Sequence, residues 1–238
     1  MFKIISLLLI FITTAQASCL KTDQILLSLT DSLNDKNATV TLFNRTQKGW
    51  EPTSSKITAV IGKNGMQWGK SRFHKDSLPE KKEGDGKSPM GAFKITKTFG
   101  YFPALQFQYK TDSPLEHLHV DKKSVCIDDI HSKYYNQVIL DETTVKKDWN
   151  SHEKMKRDDY QYRFGALVEH NHRNLSGKGS CIFLHIWEKE GSGTAGCTAM
   201  EEVYLKDILE KLDASKKPLL VQLTKKRYQK LKKSWCLP

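Results

Sequence analysis

Short runs of apolar residues broken by polar turns dominate this chain, and long helical stripes are rare. "ATVTLFNR" (Ala38 to Arg45) and "KITAVIG" (Lys56 to Gly62) are rich in β-branched residues and flank a polar, proline-containing turn. That pattern predicts antiparallel neighbours. "QILLSLTDSL" (Gln24 to Leu33) reads as an apolar strand or a short helix. "GAFKIT", "LQFQYK", "QVIL", "ALVEH", "CIFLHI" and "PLLVQLT" supply further short strands. Asn64-Gly65 is a strong hairpin signal. Helical spacing appears from Thr198 to Asp213, through Val203, Leu205, Ile208, Leu209 and Leu212. Ser151 to Arg157 and Lys225 to Ser234 carry shorter versions of it. Many short strands and few helices predict a mainly β sandwich or barrel. There are no internal repeats and no low-complexity linker.

The first seventeen residues, "MFKIISLLLIFITTAQA", change the picture of the compartment. Lys3 gives a charged start, Ile4 to Ile12 an apolar run, and Ala15-Gln16-Ala17 a small-residue cleavage pattern, which together predict a secretory signal over residues 1–17. The apolar run falls short of the ~20 residues a membrane span needs. Gln16 stands where a lipoprotein signal carries an aliphatic residue, which argues against lipid on Cys19. No later segment is apolar enough to span a bilayer, so no transmembrane anchor is expected. The expected location is the periplasm or cell envelope. Residues 18–238, about 220 in all, suit a single domain.

Export permits disulfides. The five cysteines are Cys19, Cys126, Cys181, Cys197 and Cys236, and an odd number leaves one unpaired. Cys19 and Cys236 lie near the two mature ends, which often meet in single domains. Cys19–Cys236 is one expected bridge; Cys197 is chosen as the free thiol for its place in the glycine turn, and Cys126–Cys181 is then the second expected bridge. A formal net charge of +11 implies an anionic partner or surface. The cations are spread along the chain without an aromatic base-stacking motif, so nucleic acid is not the expected partner. Acidic envelope polymers or anionic lipid fit an exported protein better. Lys225 to Lys233 reads as a solvated basic helix.

The chemistry concentrates between Ser180 and Met200, "SCIFLHIWEKEGSGTAGCTAM", with Cys197 twelve residues after His185. A free thiol has a pKa of ~8.5 and needs a base or a positive environment to become a nucleophile. His185 on a strand is the candidate base and Cys197 the candidate nucleophile. Gly193 and Gly196 are expected to give the turn backbone angles closed to other residues. A helix starting at Thr198 would place its positive end beside Cys197, where the Gly196 and Cys197 N–H groups would hold an oxyanion. Taken singly, a cysteine is more often a small buried hydrophobe and a strand histidine more often structural. The combination carries the reading.

Other constellations are less specific. "KKEGDGKSPMGAF" (Lys81 to Phe93) lacks the spacing of a phosphate-binding loop; it is a surface turn, or a cleft rim carrying Lys87. Asp128 and Asp129, adjacent on an extended segment, face opposite ways and do not form a dyad. His117 with His119, and His170 with His172, would each put two imidazoles on one face of a strand. With His185 they suggest a zinc-dependent envelope hydrolase, although H-x-H alone is a weak motif. The cysteine reading requires no metal or other cofactor.

The order "EGDGKSPMGAF", "TFGY", "CIDD…YYN" and "SCIFLHIW…GSGTAGCTAM" resembles the L,D-transpeptidase catalytic-domain family, the YkuD-like enzymes, over about Lys56 to Thr224. The resemblance implies a mainly β catalytic domain with Cys197 as nucleophile and His185 as base. It also implies peptidoglycan stem peptides as substrate, in cell-wall biogenesis. Thr194, Ser192, His170 and Lys87 are the cleft candidates. Two departures stand out. The commoner pattern has a longer interval between base and cysteine, and a histidine where this chain has Ala195. The group that orients His185 is therefore open, and a backbone carbonyl would serve. An amine acceptor would make the enzyme a cross-linking transpeptidase; water would make it an L,D-carboxypeptidase. A non-catalytic envelope-binding module on the same fold is the third class.

Overall fold

In the computed structural model, which describes residues 19–71 and 77–238, the apolar run after Thr22 is a strand, β1 (Gln24–Thr30), with only Leu29 partly exposed. The signal expected over residues 1–17 lies outside the described residues. β2 (Asn37–Thr46) alternates buried and accessible positions, and β3 (Gly49–Pro52) folds back on it. β4 (Ile57–Val60) pairs antiparallel with β2, as the sequence pattern predicts. β5 (Met66–Trp68) leads through a polar loop to the long β6 (Ser88–Gly100). β7 (Glu116–His119), β8 (Val125–Cys126), β9 (Val138–Ile139) and β10 (Glu153–Lys154) are short. β11 (Phe164–Val168), β12 (Phe183–Ile186) and β13 (Thr198–Met200) precede helix α1 (Glu202–Lys211). β14 (Leu219–Thr224) runs into helix α2 (Lys225–Trp235).

The main sheet runs β1-β14-β6-β11-β12-β13-β4-β2, and β2 pairs again with β1, so the sheet closes on itself as a barrel. Closure removes the unpaired edges of the ring strands. Inside, Gln222 of β14 links three strands. Its Oε1 accepts from Ser28 Oγ (3.1 Å) and Thr198 Oγ1 (2.8 Å), and its Nε2 donates to Pro89 O (2.9 Å). A buried amide so satisfied adds no desolvation penalty. α1 lays Leu205, Ile208 and Leu209 on the sheet. Val203, counted in its apolar stripe from sequence, is 60% exposed. In α2 Trp235 is buried while Lys225, Lys226, Lys230, Lys232 and Lys233 are exposed, matching the solvated basic helix. Among the described residues no helix is long and apolar enough to cross a membrane.

Four local expectations need correction. Thr198–Met200 is strand, because Ala199 and Met200 are held between β12 and β4, and the helix begins only at Glu202. The 151–157 stretch is not helical: Glu153 and Lys154 pair with Cys126 and Val125. "LQFQYK" forms no strand beyond a single 3-10 turn at its start. Asn64-Gly65 does make a turn, with Gly65 at φ 81° and its N–H bonded to Gly62 O (2.8 Å), but β5 then joins β6 in parallel and no hairpin forms.

β8, β9 and β10 form a separate antiparallel sheet. It is tied to the barrel by the Cys126–Cys181 disulfide, across a sequence separation of 55 residues. Cys19–Cys236 joins the two ends, and Cys197 is the free cysteine. Both pairings agree with the sequence assignment. Replacing Cys126 and Cys181 by serine is expected to cost about 2–5 kcal/mol of stability. Guanidinium unfolding with and without the pair measures it; an unchanged midpoint would show that packing alone holds the small sheet in place.

Candidate active site

Cys197 sits at the end of a turn fixed from three sides. Ser88 Oγ accepts from Gly62 N–H (2.8 Å) and donates to Gly196 O (2.6 Å). Thr194 Oγ1 accepts from Gly196 N–H (3.1 Å) and donates to Cys197 O (2.7 Å). Thr194 N–H bonds to Ile61 O, and Lys63 N–H to Thr194 O. The glycines are needed for close approach, not for unusual angles: neither Gly193 nor Gly196 has positive φ. A Cβ on Gly193 would lie 2.6 Å from Lys63 Cα, and one on Gly196 would lie 3.1 Å from Lys87 O. Two parts of the expected oxyanion site change. The Gly196 N–H is spent on Thr194, and β13 follows Cys197 where a helix end was expected. The Cys197 N–H is the donor of the turn that remains.

The candidate base, His185, comes from the adjacent strand. β12 and β13 are parallel with His185 opposite Ala199. Side chains alternate along strands, so Cys197, two residues before Ala199, lies on the same face as His185. His185 Nδ1 bonds to Ile186 O at 2.7 Å. A carbonyl only accepts, so Nδ1 carries the proton and Nε2 keeps its lone pair. This carbonyl is the orienting group that the sequence left open. Tyr162 packs edge-on against the imidazole, with ring centroids 5.1 Å apart. The thiol accepts from Phe183 N–H (3.3 Å) and donates to Cys181 O (3.4 Å); no hydrogen bond joins it to His185 among the described residues.

Both groups rest uncharged. Burial pushes the Cys197 thiol up to about 12 and the His185 imidazolium down to about 4. A preformed thiolate–imidazolium pair is therefore disfavoured at rest. His185 and Cys197 open on a cleft of about 310 Å³ that also includes Thr194, Ser192, Gly193 and Trp187. Ser192 Oγ donates to Glu188 Oε2 (2.8 Å). The remaining two cleft candidates fall outside. His170 is buried against Phe93, bonds through Nε2 to Lys178 O (2.9 Å), and borders a different cavity with His172. Lys87 contributes its backbone beside Gly196, and its side chain is not part of the cleft wall.

The histidines of the zinc reading do not converge. His117 bonds to Thr98 Oγ1 (2.9 Å) and Phe102 O (2.8 Å), remote in partners from His170. No group of three or more metal-capable side chains gathers among the described residues. Asp128 and Asp129 part as expected. Asp129 accepts from the His131 and Asn150 N–H groups, and Asp128 from Ser151 Oγ.

The sequence did not single out Glu153, Arg157 or Tyr162, and all three line the cleft. Glu153 Oε2 accepts from Tyr162 Oη at 2.7 Å, and burial pushes the carboxyl up to about 7. Arg157 is paired with Asp159 and lies over the Tyr162 ring. Reading 151–157 as helical concealed Glu153, which the structure places on a two-residue strand.

These buried groups link stability to pH. His170 is also pushed down to about 4 by burial, and His117 is lowered the same way. A histidine whose folded value lies below its ordinary one stabilises fully above pH ~6.5, and that contribution is lost as pH falls toward the folded value. Glu153 acts oppositely: its contribution is present below its ordinary value of 4.5 and is lost as pH rises through about 7. The histidines outnumber it, so stability should fall on acidification from pH 6.5 to 4.5. Each unbalanced proton is worth ~1.4 kcal/mol per pH unit. His170→Gln should shrink that fall, as read from melting temperature against pH; an equal slope in the variant would contradict the assignment.

Comparison of the chain with protein-family models, with curated proteins and with solved structures gives no match.

Proposed function

We propose that this protein is a cysteine acyltransferase acting on peptidoglycan stem peptides, an L,D-transpeptidase. The observation that carries the reading is the free Cys197 thiol sharing one cleft with a histidine whose Nε2 lone pair is left open by the Nδ1–Ile186 bond. The motif order from Glu83 to Met200 supplies the substrate class by resemblance. The many exposed lysines suit an anionic cell-wall mesh, an attraction weakened by salt.

As Sγ attacks the peptide carbonyl, His185 Nε2 takes the thiol proton. The Cys197 N–H supports the oxyanion; one such donor is worth on the order of 10²-fold in rate. The imidazolium then protonates the departing amine of the terminal D-residue and leaves a thioester on Cys197. An acceptor resolves the thioester, passing a proton through His185 to the sulfur. Burial of both partners makes proton transfer part of the attack, not a step before it.

Incubation of purified stem-peptide muropeptides with the protein, followed by mass spectrometry, tests the reading. Cross-linked dimers with loss of a terminal D-residue are expected. Trimmed monomers alone would make water the acceptor and the enzyme a carboxypeptidase. Unchanged muropeptides would overturn the proposal.

A further inference from the structure

On a basic protein, the cleft around Cys197 is acidic. Glu153 and Glu188 line it, no lysine does, and its one cation, Arg157, is paired with Asp159. Ser192 donates to Glu188, whereas Glu153 receives a bond only on Oε2, from Tyr162. Glu153 Oε1 has no hydrogen-bond partner among the described residues. The carboxyl is close enough to Cys197 for its charge to oppose the thiolate. The other charged or titratable groups acting on it are Arg157, Asp128 and Glu83. A cleft carboxylate with one oxygen free of protein partners can take a cation with N–H donors.

We propose that Glu153 receives the amine acceptor: its carboxylate binds the incoming ammonium group beside the Cys197 thioester and takes the first proton from it. This rests on the reading of Cys197 as an acylated nucleophile, and it names the residue that would receive the acceptor. The step balances. R–NH₃⁺ gives one proton to the Glu153 carboxylate and becomes R–NH₂. The nitrogen lone pair attacks the thioester carbonyl, the N–C bond forms and the C–S bond breaks. The second proton leaves nitrogen through His185 and ends on the Cys197 sulfur. Glu153, now neutral, returns its proton to solvent. Its value of about 7 lies close to the ~8 of an α-amino group, so the first transfer is nearly level in energy. Tyr162 is the positioning residue: its hydroxyl fixes Oε2 and leaves Oε1 to the ligand.

The test uses small probes and no peptidoglycan. Cys197 is acetylated with p-nitrophenyl acetate, and the acetyl group is partitioned between water, glycinamide (a cation near neutrality) and hydroxylamine (uncharged there). Glu153→Gln is expected to lower the glycinamide share about tenfold, the scale of one lost charge-assisted bond, while the hydroxylamine share holds. Tyr162→Phe removes a bond that favours the carboxylate, so the pH midpoint of glycinamide transfer should move upward. This second variant carries the test if Glu153→Gln does not fold. Equal changes for both amines, or none, would overturn the assignment and leave Glu153 a structural acid. Failure of the wild-type protein to acetylate at Cys197 would overturn the nucleophile reading itself, and this proposal with it.

Discussion

Cys197→Ala is expected to abolish acyl transfer, by on the order of 10⁴-fold or more, in a protein that still folds. No other thiol can replace it, because the remaining four cysteines are held in two disulfides. Nor do nearby hydroxyls substitute. Ser192 is engaged with Glu188 and Ser180 with Glu83, so neither has a histidine to take its proton. The variant loses the weak contacts of the thiol with Phe183 N–H and Cys181 O, a cost of about 1–2 kcal/mol. Thermal unfolding checks the fold and muropeptide turnover checks the chemistry. Retained turnover in a folded variant would remove cysteine from the mechanism.

His185→Ala should lower turnover by about 10²–10⁴-fold while leaving the titration of the thiol in the free protein high. The two parts of that expectation have different origins. Turnover falls because no other cleft residue offers a neutral imidazole nitrogen. The resting thiol barely responds, because burial sets its value and a neutral His185 adds no charge to stabilise a thiolate. Alkylation rate against pH, measured beside turnover, separates this from a resting ion pair. A variant whose alkylation profile moved by pH units would show that His185 is charged in the free protein. In the wild type, loss of base function on acidification should centre near pH 4, where His185 protonates, not near 6.5.

Much of the barrel was legible because its strands are rich in Val, Ile, Leu and Phe with clear turns between them. Cys197 and His185 were legible for a related reason: both lie in one short stretch whose glycines and apolar residues announce a strand and a turn. The errors lie where distant partners decide. Thr198-Ala199-Met200 is too short to show a period of its own, and its state is set by pairing with β12 across the glycine loop and with β4 far away in sequence. Glu153 reaches the cleft because Cys126 is bonded to Cys181 and because Asp129 fixes the Asn150 N–H. Neither link leaves a trace in local composition. Asp128 and Asp129 part as their adjacency on an extended segment implies, whereas the bonds of Asp129 to the His131 and Asn150 N–H groups appear only in three dimensions.

The height of the Cys197 thiol value bears on how long such a protein stays usable. Burial holds the Cys197 thiol far above the ordinary thiol range, so at neutral pH it is almost wholly protonated. Oxidants, mixed disulfides and thiol exchange all act through the thiolate. Cys197 belongs to the same buried cluster as Cys126 and Cys181 and bonds to Cys181 O, so an ionised thiol there would lie near a disulfide open to exchange. Holding the proton on sulfur at rest keeps the Cys197 thiol out of such exchange and so protects that cross-link.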